Sequence, residues 1–588
     1  MNGATNRPIA PRPEPPAESL RNFEHHILFI MDSVDETVVE FPTSKLLLYS
    51  QEISRAMKSV MGDRVGSPGL DLVELANDGQ SYFEATVDQT HRKNVGHYGT
   101  PATIARFMCS LYDPPPKDAI RVLDPGAGTG TLSLAMCERL LRIPGIRNVS
   151  VHAFETDATL ANIFNQVMEA ARNLFVQRGK TLAWKIFSED FILANHGLQE
   201  DLPGLGRPPF YADYDVVIMN PPYYKLRGSS QQAKTMGHIV SGQPNIYALF
   251  MMVAAEMLRP GGTFVSITPR SFCNGPYFET FRRSFLGLIR PRHFHLFARR
   301  DKAFEKDGVL QETIITAGMK DQRNEAVTIS TSASHDFDDF TQINTTWSVV
   351  NTLDSVGSVI RIPQTEADVR VLCLVDSLPT TFSEAGYRVS TGPVVAFRAK
   401  RFLRHGLAEQ NGVPLLSMQN VKPFATQWLT GNQDKSIGFA VETESSKLLV
   451  PSRDYILLRR FSAKEEKRRL VASVFLATKW PWQVVALENH LNYIYRVERD
   501  FNPFELYGLC AFLNSRLIDR YFRARNGLTQ VNAADIRVLP LPTERILEKV
   551  GRMIADGDGI ESHRWESCLS SELAVPPDII EYLSDLYP

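Results

Sequence analysis

Val122-Leu123-Asp124-Pro125-Gly126-Ala127-Gly128-Thr129-Gly130 is a short apolar run that empties into three alternate glycines. Ile120 to Leu123 reads as a strand and Leu132 to Leu141 as the helix that follows. Glycines at every second position remove the side chains that would hold a ligand off the backbone, and such a turn is expected to point amides outward from the helix N-terminus. Several kinds of nucleotide site share that turn, so its neighbours decide the fold. Val149 to Phe154 reads as a strand, and Ala158 to Phe175 as a helix with apolar residues three or four apart. The strands Leu182 to Phe187 and Asp215 to Met219, the helix Ile246 to Leu258 and the strand Thr263 to Thr268 continue the alternation. The pattern predicts an α/β domain, a mostly parallel sheet with helices on both faces whose ligands sit at the carboxyl ends of the strands.

Three successive strand ends carry acids. Asp124 belongs to the glycine turn, Glu155 ends the second strand in Phe154-Glu155-Thr156-Asp157, and Asp190 follows the third in Ser188-Glu189-Asp190-Phe191. A carboxylate at Glu155 can accept both ribose hydroxyls, while Asp190 can accept from an adenine amino group with Phe191 against the ring. The spacing of Gly126, Gly128 and Gly130 departs from GxGxxG, and no GxxxxGK[ST] run occurs. A phosphate cradle for NAD or ATP is therefore disfavoured, and an adenosyl amino acid, S-adenosylmethionine, is the expected cofactor. Upstream, His97-Tyr98-Gly99-Thr100-Pro101 opens a helix. Tyr98, Thr100 and Pro101 are expected to close the site over the methionine end, with Thr100 as hydroxyl donor or helix cap.

Asp215-Val216-Val217-Ile218-Met219-Asn220-Pro221-Pro222-Tyr223 is a buried strand that ends in a rigid, polar, aromatic turn. An sp2 amino group is a poor nucleophile because its lone pair is delocalised into the ring. Two acceptors, the Asn220 side-chain oxygen and the Pro221 carbonyl, can hold its hydrogens and favour an sp3-like nitrogen facing the sulfonium methyl, without a covalent intermediate. Pro221 and Pro222 fix the backbone that presents those oxygens, and Tyr223 offers a face to a planar base.

With these motifs in this order, glycine turn after Gly99-Thr100-Pro101 and Asn-Pro-Pro-Tyr later, the sequence resembles the gamma-class N6-adenine DNA methyltransferases of restriction–modification systems. The resemblance runs from about His91 to Pro542 and includes Pro244-Asn245-Ile246-Tyr247-Ala248-Leu249-Phe250, Thr268-Pro269-Arg270-Ser271-Phe272 with Tyr277-Phe278, and Thr529-Gln530-Val531-Asn532. It implies a Rossmann-like S-adenosylmethionine-dependent methyltransferase sheet and a C-terminal target recognition domain. It also implies that Phe278, or Tyr277 one residue before it, forms a second aromatic wall opposite Tyr223. The substrate would be an adenine in double-stranded DNA, flipped out of the helix because a stacked base cannot present its amino group. A monomer is expected, alongside a separate cognate restriction endonuclease acting on the same site.

The rest of the chain bounds these expectations. Residues 1–20, rich in proline, read as a disordered tail, 21–90 as a mostly helical arm, 91–325 as the catalytic domain, and 326–360, with its Ser/Thr/Asp-rich stretch Thr328 to Thr346, as a connection. Residues 361–588 form a mixed α/β recognition domain with a C-terminal extension. No run resembles a membrane span or a leader peptide, so no membrane partner and a cytoplasmic location are expected. Six scattered cysteines without a CxxC pair or zinc-spaced histidines predict buried free thiols and no metal site. Thr391 to Pro540 holds 22 Lys+Arg against 13 Asp+Glu, within a chain of net charge -2, which suggests a polyanion partner. Arg398, Lys400, Arg401, Arg404, Lys422, Arg516, Arg520, Arg523 and Arg525 are candidate phosphate contacts, and Gln419, Asn420, Gln530 and Asn532 candidate base readers. Asp454 with Glu465 and Lys467 mimics a nuclease motif, but a charged amphipathic helix over Arg459 to Lys467 accounts for those residues. Methyl transfer to an RNA base or a protein glutamine, a cytosine-N4 enzyme, against which the order of motifs and the Asn220 start speak, and a catalytically idle DNA-binding protein on the same fold are the alternatives. A cytosine-C5 enzyme would need a nucleophilic cysteine after proline, and no Pro-Cys occurs.

Overall fold

Val122 and Leu123, adjacent in the chain, point to opposite faces of a strand, and both are fully buried. The sheet they belong to is therefore covered on both sides. The computed structural model describes residues 71–86, 99–195, 213–237, 245–297, 312–354, 357–405, 412–428, 437–462, 466–527, 529–555, 560 and 563–587. All of these fall within one unit, Val60–Pro588. The expected tail, most of the expected helical arm, and Tyr98 lie outside the described residues.

The first described helix, α1 (Leu72–Thr86), is followed by α2 (Ala102–Ser110), β1 (Ala119–Pro125), α3 (Thr131–Leu141), β2 (Asn148–Phe154), α4 (Ala158–Gln177), β3 (Thr181–Phe187) and α5 (Phe191–Asn195). Then come β4 (Tyr214–Met219), α6 (Gln231–Thr235), α7 (Ile246–Met257), β5 (Leu258–Pro269), α8 (Glu279–Leu288), β6 (Ile289–Phe297), β7 (Thr313–Lys320), β8 (Ala326–Ser332) and β9 (Thr341–Thr346). The nine strands form one sheet in the order β3-β2-β1-β4-β5-β7-β6-β8-β9. Strands β1 to β5 pair in parallel, and β7 runs antiparallel between β5 and β6. The order changes direction between β1 and β4, so the loops leaving their carboxyl ends diverge and open a crevice. Leu123, Val217, Met219 and Phe264 pack into a cluster with α7, which is buried almost all round. The alternate Val122, Val216 and Ile218 are equally buried on the other face, where α3 packs on β1, β2 and β4. α1 covers α3 and α4, so this part of the N-terminal arm adheres to the catalytic layer.

The stretch Thr328 to Thr346, expected as a connection, instead supplies sheet. β8 pairs in parallel with β6, and β9 closes the edge antiparallel to β8. Val327 and Ile329 are buried, while the exposed pairs Thr328–Asn344 and Thr331–Thr341 join side chains across the two strands. A polar edge strand carries few apolar residues, and β-branched threonines fit its pleat, which is why its composition looked like a loop.

The C-terminal half contains a six-stranded sheet, a five-stranded sheet and the helices α9 (Glu366–Asp376), α10 (Pro503–Asn514), α11 (Arg516–Arg525), α12 (Ala533–Arg537), α13 (Glu544–Ala555), α14 (Arg564–Glu572) and α15 (Pro577–Leu586). Arg459 closes the strand Tyr455–Arg459, and Phe461 bridges Gln530, so the expected helix does not start there. Glu465 lies outside the described residues, and Asp454 accepts the Ala477 amide at 2.9 Å. Cys109, Cys137, Cys273 and Cys510 are buried free thiols, whereas Cys373 is exposed and Cys568 partly so. Among the described residues no helix is long and apolar enough to cross a membrane.

Candidate active site

The turn after β1 and the turn after β4 meet at the crevice. Gly126, Gly128 and Gly130 have φ of 91°, 55° and 93°, the left-handed region that glycine adopts without strain. A Cβ on Gly130 would lie 2.9 Å from the Phe164 ring, and one on Gly126 would approach Phe250 at 3.7 Å and the Asn220 carbonyl at 4.0 Å. Gly130 thus lets β1 lie against α4, while at Gly126 it is the positive φ that calls for glycine. The amides expected to face a ligand are spent within the protein. Those of Gly126 and Ala127 donate to the Phe154 carbonyl at 2.9 and 3.0 Å, and that of Gly128 to Glu155 Oε2 at 3.0 Å.

A cleft of about 780 Å³, counting its open mouth, lies against this turn. Gly126, Gly128, Glu155, Phe191, Thr100 and Asn220, all expected from the sequence, line it. Glu155 Oε1 accepts the Asp157 amide at 2.9 Å. Burial pushes the Glu155 acid up to about 7 against the pull of these backbone donors. Asp124 is fully buried beneath the turn. Its Oδ2 accepts the Ser133 hydroxyl at 2.7 Å, and its Oδ1 has no partner. Burial drives this acid up to about 7, with the neighbouring Glu155 adding to the shift. A buried carboxyl with an orphaned oxygen suits a cation, such as the ammonium of an amino-acid ligand.

Asp190 is otherwise engaged. Its Oδ1 accepts the Leu193 amide at 2.9 Å at the start of α5, and its Oδ2 accepts Gln232 Nε2 at 3.0 Å. From that segment Glu189 and Phe191 line the cleft. Thr100 is not a helix cap, because Pro101 holds the N-cap position of α2 without a side-chain bond. The Thr100 hydroxyl instead accepts from Asn220 Nδ2 at 3.0 Å, tying the segment before α2 to the end of β4.

Pro221 is buried and Pro222 lines the cleft. The Tyr223 hydroxyl donates to Asn220 Oδ1 and lies 2.9 Å from the Ile267 carbonyl on β5. One hydroxyl hydrogen is shared between those two acceptors. Tyr223 meets Tyr247 edge to face at 6.5 Å, and Tyr247 in turn stacks on Phe278 at 5.8 Å. Phe278 therefore joins the aromatic cluster beside Tyr223, whereas Tyr277 is 73% exposed. Several residues of the site carried no sequence signal of their role. Gln80 on α1 lines the cleft without any motif to mark it. Phe250 lines it and Tyr247 bridges the aromatics, both within the Pro244 to Phe250 segment, whose two rings three residues apart share a helix face.

Several candidate DNA contacts prove internal. Arg520 grips fully buried Asp368 with two hydrogen bonds, Arg523 pairs with Asp519 at 2.7 Å, and Arg525 is buried with Tyr521 and Phe522. Arg516 donates to Ser584 at 3.0 Å. Asn420 is buried and donates to the Gln427 carbonyl at 3.0 Å, while Asn532 caps α12 with Asp535. Arg398, Lys400, Arg401, Lys422 and Gln419 are exposed, Arg401 pairing with Glu444 at 2.7 Å. Arg404 pairs with Glu442 at 2.9 Å.

Comparison with known proteins places this geometry in a family. Residues 103–304 match the Eco57I restriction-modification methylase family. The chain is 31% identical over 477 residues to the type II methyltransferase M.PstI of Providencia stuartii, covering 81% of this chain and 92% of that protein. It is 32% identical over 471 residues to the type II methyltransferase M.BsuBI of Bacillus subtilis, covering 79% and 91%. Among solved structures, the type IIL restriction-modification enzyme MmeI in complex with DNA aligns with a TM-score of 0.48 at 12% identity, over 91% of this chain and 78% of that one. With that extent of identity along both relatives, the chain belongs to the type II methyltransferases of restriction–modification systems.

Proposed function

We propose that this enzyme methylates the exocyclic amino group of an adenine flipped out of double-stranded DNA. One observation carries the reading: Asn220, at the end of β4, shares a single cleft with the glycine turn of β1 and with Glu155. S-adenosylmethionine, when bound, supplies an electrophilic methyl group. Glu155, which lines the cleft, would accept the ribose hydroxyls, Asp124 buried beneath it would turn its unpartnered oxygen to the ammonium, and Phe191 would present a ring beside Phe250, 5.1 Å away.

Asn220 Oδ1 and the Pro221 carbonyl accept the two amino hydrogens and turn the nitrogen lone pair out of the ring, an electrostatic preorganisation that needs no covalent step. Thr100 and the Tyr223 hydroxyl hold the Asn220 amide before the base arrives. Entry of the amino group replaces the Tyr223 hydroxyl on Oδ1, leaving that hydroxyl with the Ile267 carbonyl. The rings of Tyr223 and Phe278 stack on the extruded base and offset part of its unpairing, at roughly 1–3 kcal/mol per stacked base. The test offers methyl-labelled S-adenosylmethionine with duplex DNA, RNA and protein substrates in parallel. Label recovered as N6-methyladenine from duplex DNA is expected. Label only in RNA, in protein glutamine or in N4-methylcytosine refutes this assignment of the substrate.

A further inference from the structure

The base pocket and the C-terminal half are joined by a chain of buried side-chain amides. The turn Arg270–Cys273 follows β5 and leads through Asn274 to Phe278. Asn274 is 2% exposed, and its Nδ2 donates at 2.7 Å to Oδ1 of Asn526, itself 1% exposed just beyond α11. Asn526 Nδ2 donates onward to Asp535 Oδ2 at 2.9 Å, and Asp535 also accepts the Asn532 amide at the start of α12. The intervening segment pairs with the residues just past the strand Tyr455–Arg459 of the C-terminal half: the Val531 amide donates to the Arg460 carbonyl at 2.7 Å and the Ser462 amide to the Thr529 carbonyl at 3.1 Å. From the other side, Arg282 on α8 donates to the Phe272 and Gly275 carbonyls at 3.1 and 2.9 Å.

Apolar contacts would glue this seam as firmly as a buried amide pair. What hydrogen bonds add is direction, since each fixes one donor against one acceptor. Asn526 uses its oxygen toward the base pocket and its nitrogen toward Asp535, so its plane is set by both halves at once. At Gly527 a Cβ would lie 2.8 Å from Arg270 Nε, so the backbone there also lies directly against the turn.

We propose that Asn526 is a positioning residue for the base pocket, its amide holding the turn ahead of Phe278 in register with the DNA-engaging C-terminal half. The inference rests on the base-pocket reading given under Proposed function. DNA bound by the C-terminal half then acts on the aromatic wall through Asn526 and Asn274, and the loss of that link impairs base extrusion ahead of cofactor binding.

The test uses the full chain, S-adenosylhomocysteine, and a duplex whose labelled adenine, once mapped, is replaced by 2-aminopurine. Asn526→Ala is expected to lower the 2-aminopurine signal, and kcat with S-adenosylmethionine on the unmodified duplex, about tenfold, because it removes the bonds to both Asn274 and Asp535, with S-adenosylhomocysteine affinity and duplex affinity within about twofold of wild type. Asn526→Asp keeps the acceptor for Asn274 but sets a carboxylate against Asp535, and the same loss follows. Asn526→Asp with Asp535→Asn restores one donor between the two positions and is expected to regain most of the signal. Should Asn526→Ala not fold, Asn274→Ala breaks the same bond from the other side. Unchanged fluorescence and kcat in a folded variant overturn the proposal, as does a parallel fall in cofactor affinity and melting temperature that tracks the lost activity. A wild-type protein that transfers no methyl group to DNA overturns the underlying function, whereas an active wild type with indifferent variants overturns this coupling alone.

Discussion

Asp124→Asn keeps the shape of a fully buried side chain and removes its charge. In the wild type, burial raises this acid from 3.8 to about 7 despite the Ser133 hydrogen bonds. Ionising it inside the fold therefore costs up to about 4 kcal/mol more than in the unfolded chain. The folded pKa is the higher one, so between about pH 4 and pH 7 the folded protein keeps a proton that the unfolded chain has lost. The acid's contribution to stability falls as pH climbs through that window and is level above it. Asparagine has no proton to lose, so the difference between the two melting curves reports Asp124 together with its coupling to the neighbouring Glu155. The variant is expected to melt with the wild type near about pH 4 and above it at pH 8. Ligand affinity moves the other way. Asp124 Oδ1 has no partner in the protein, and a charge-assisted hydrogen bond to an ammonium is worth about 1.5–3 kcal/mol, or about 10- to 150-fold in affinity. Calorimetric titration with S-adenosylhomocysteine at pH 8 should therefore show weaker binding by a variant that is more stable. A variant that melts lower than wild type at pH 8, or binds this ligand with undiminished affinity, would refute the reasoning.

Asn220→Ala deletes one of two amino-group acceptors and should lower kcat about 10²–10³-fold while S-adenosylhomocysteine still binds; near-normal turnover contradicts the role given to Asn220. Tyr223→Phe keeps the ring and should retain kcat within about tenfold, the Ile267 carbonyl losing one donor, whereas Tyr223→Ala should also abolish most of the 2-aminopurine response. Equal effects of the two substitutions in steady-state and fluorescence assays would contradict the stacking. Arg520→Ala leaves Asp368 buried without its cation and should destabilise the protein by about 3–5 kcal/mol in a denaturant titration. A stable variant with a shallower salt dependence of DNA binding would instead restore Arg520 as a phosphate contact.

The alternation of strands and helices from Ile120 to Thr268 was legible because each buried strand is a continuous apolar run and each helix a periodic one. The polar β9 was not, since an edge strand needs few apolar residues and its threonines look like linker. At the site, Asn220, Glu155 and the glycines were legible because backbone conformation and chemistry restrict those positions to few residue types. Gln80 was hidden because a glutamine on a helix has no local signature, and its approach to Gly99, whose Cβ would lie 2.8 Å from it, arises only from tertiary packing. The basic α11 misled for the opposite reason. Four arginines in ten residues look like a surface for a polyanion, yet their partners Asp368, Asp519 and Ser584 span more than two hundred residues of sequence and become visible only when the chain is folded.

Methyl transfer as proposed depends on which atoms hold the reacting nitrogen. The most direct measurement is a crystal structure of the protein with S-adenosylhomocysteine and a duplex containing its target site. An adenine outside the helix is expected, its amino nitrogen about 2.7–3.2 Å from both Asn220 Oδ1 and the Pro221 carbonyl, with Tyr223 released from Oδ1. An adenine still stacked in the duplex, or an amino group held elsewhere while Tyr223 stays on Asn220, would contradict it.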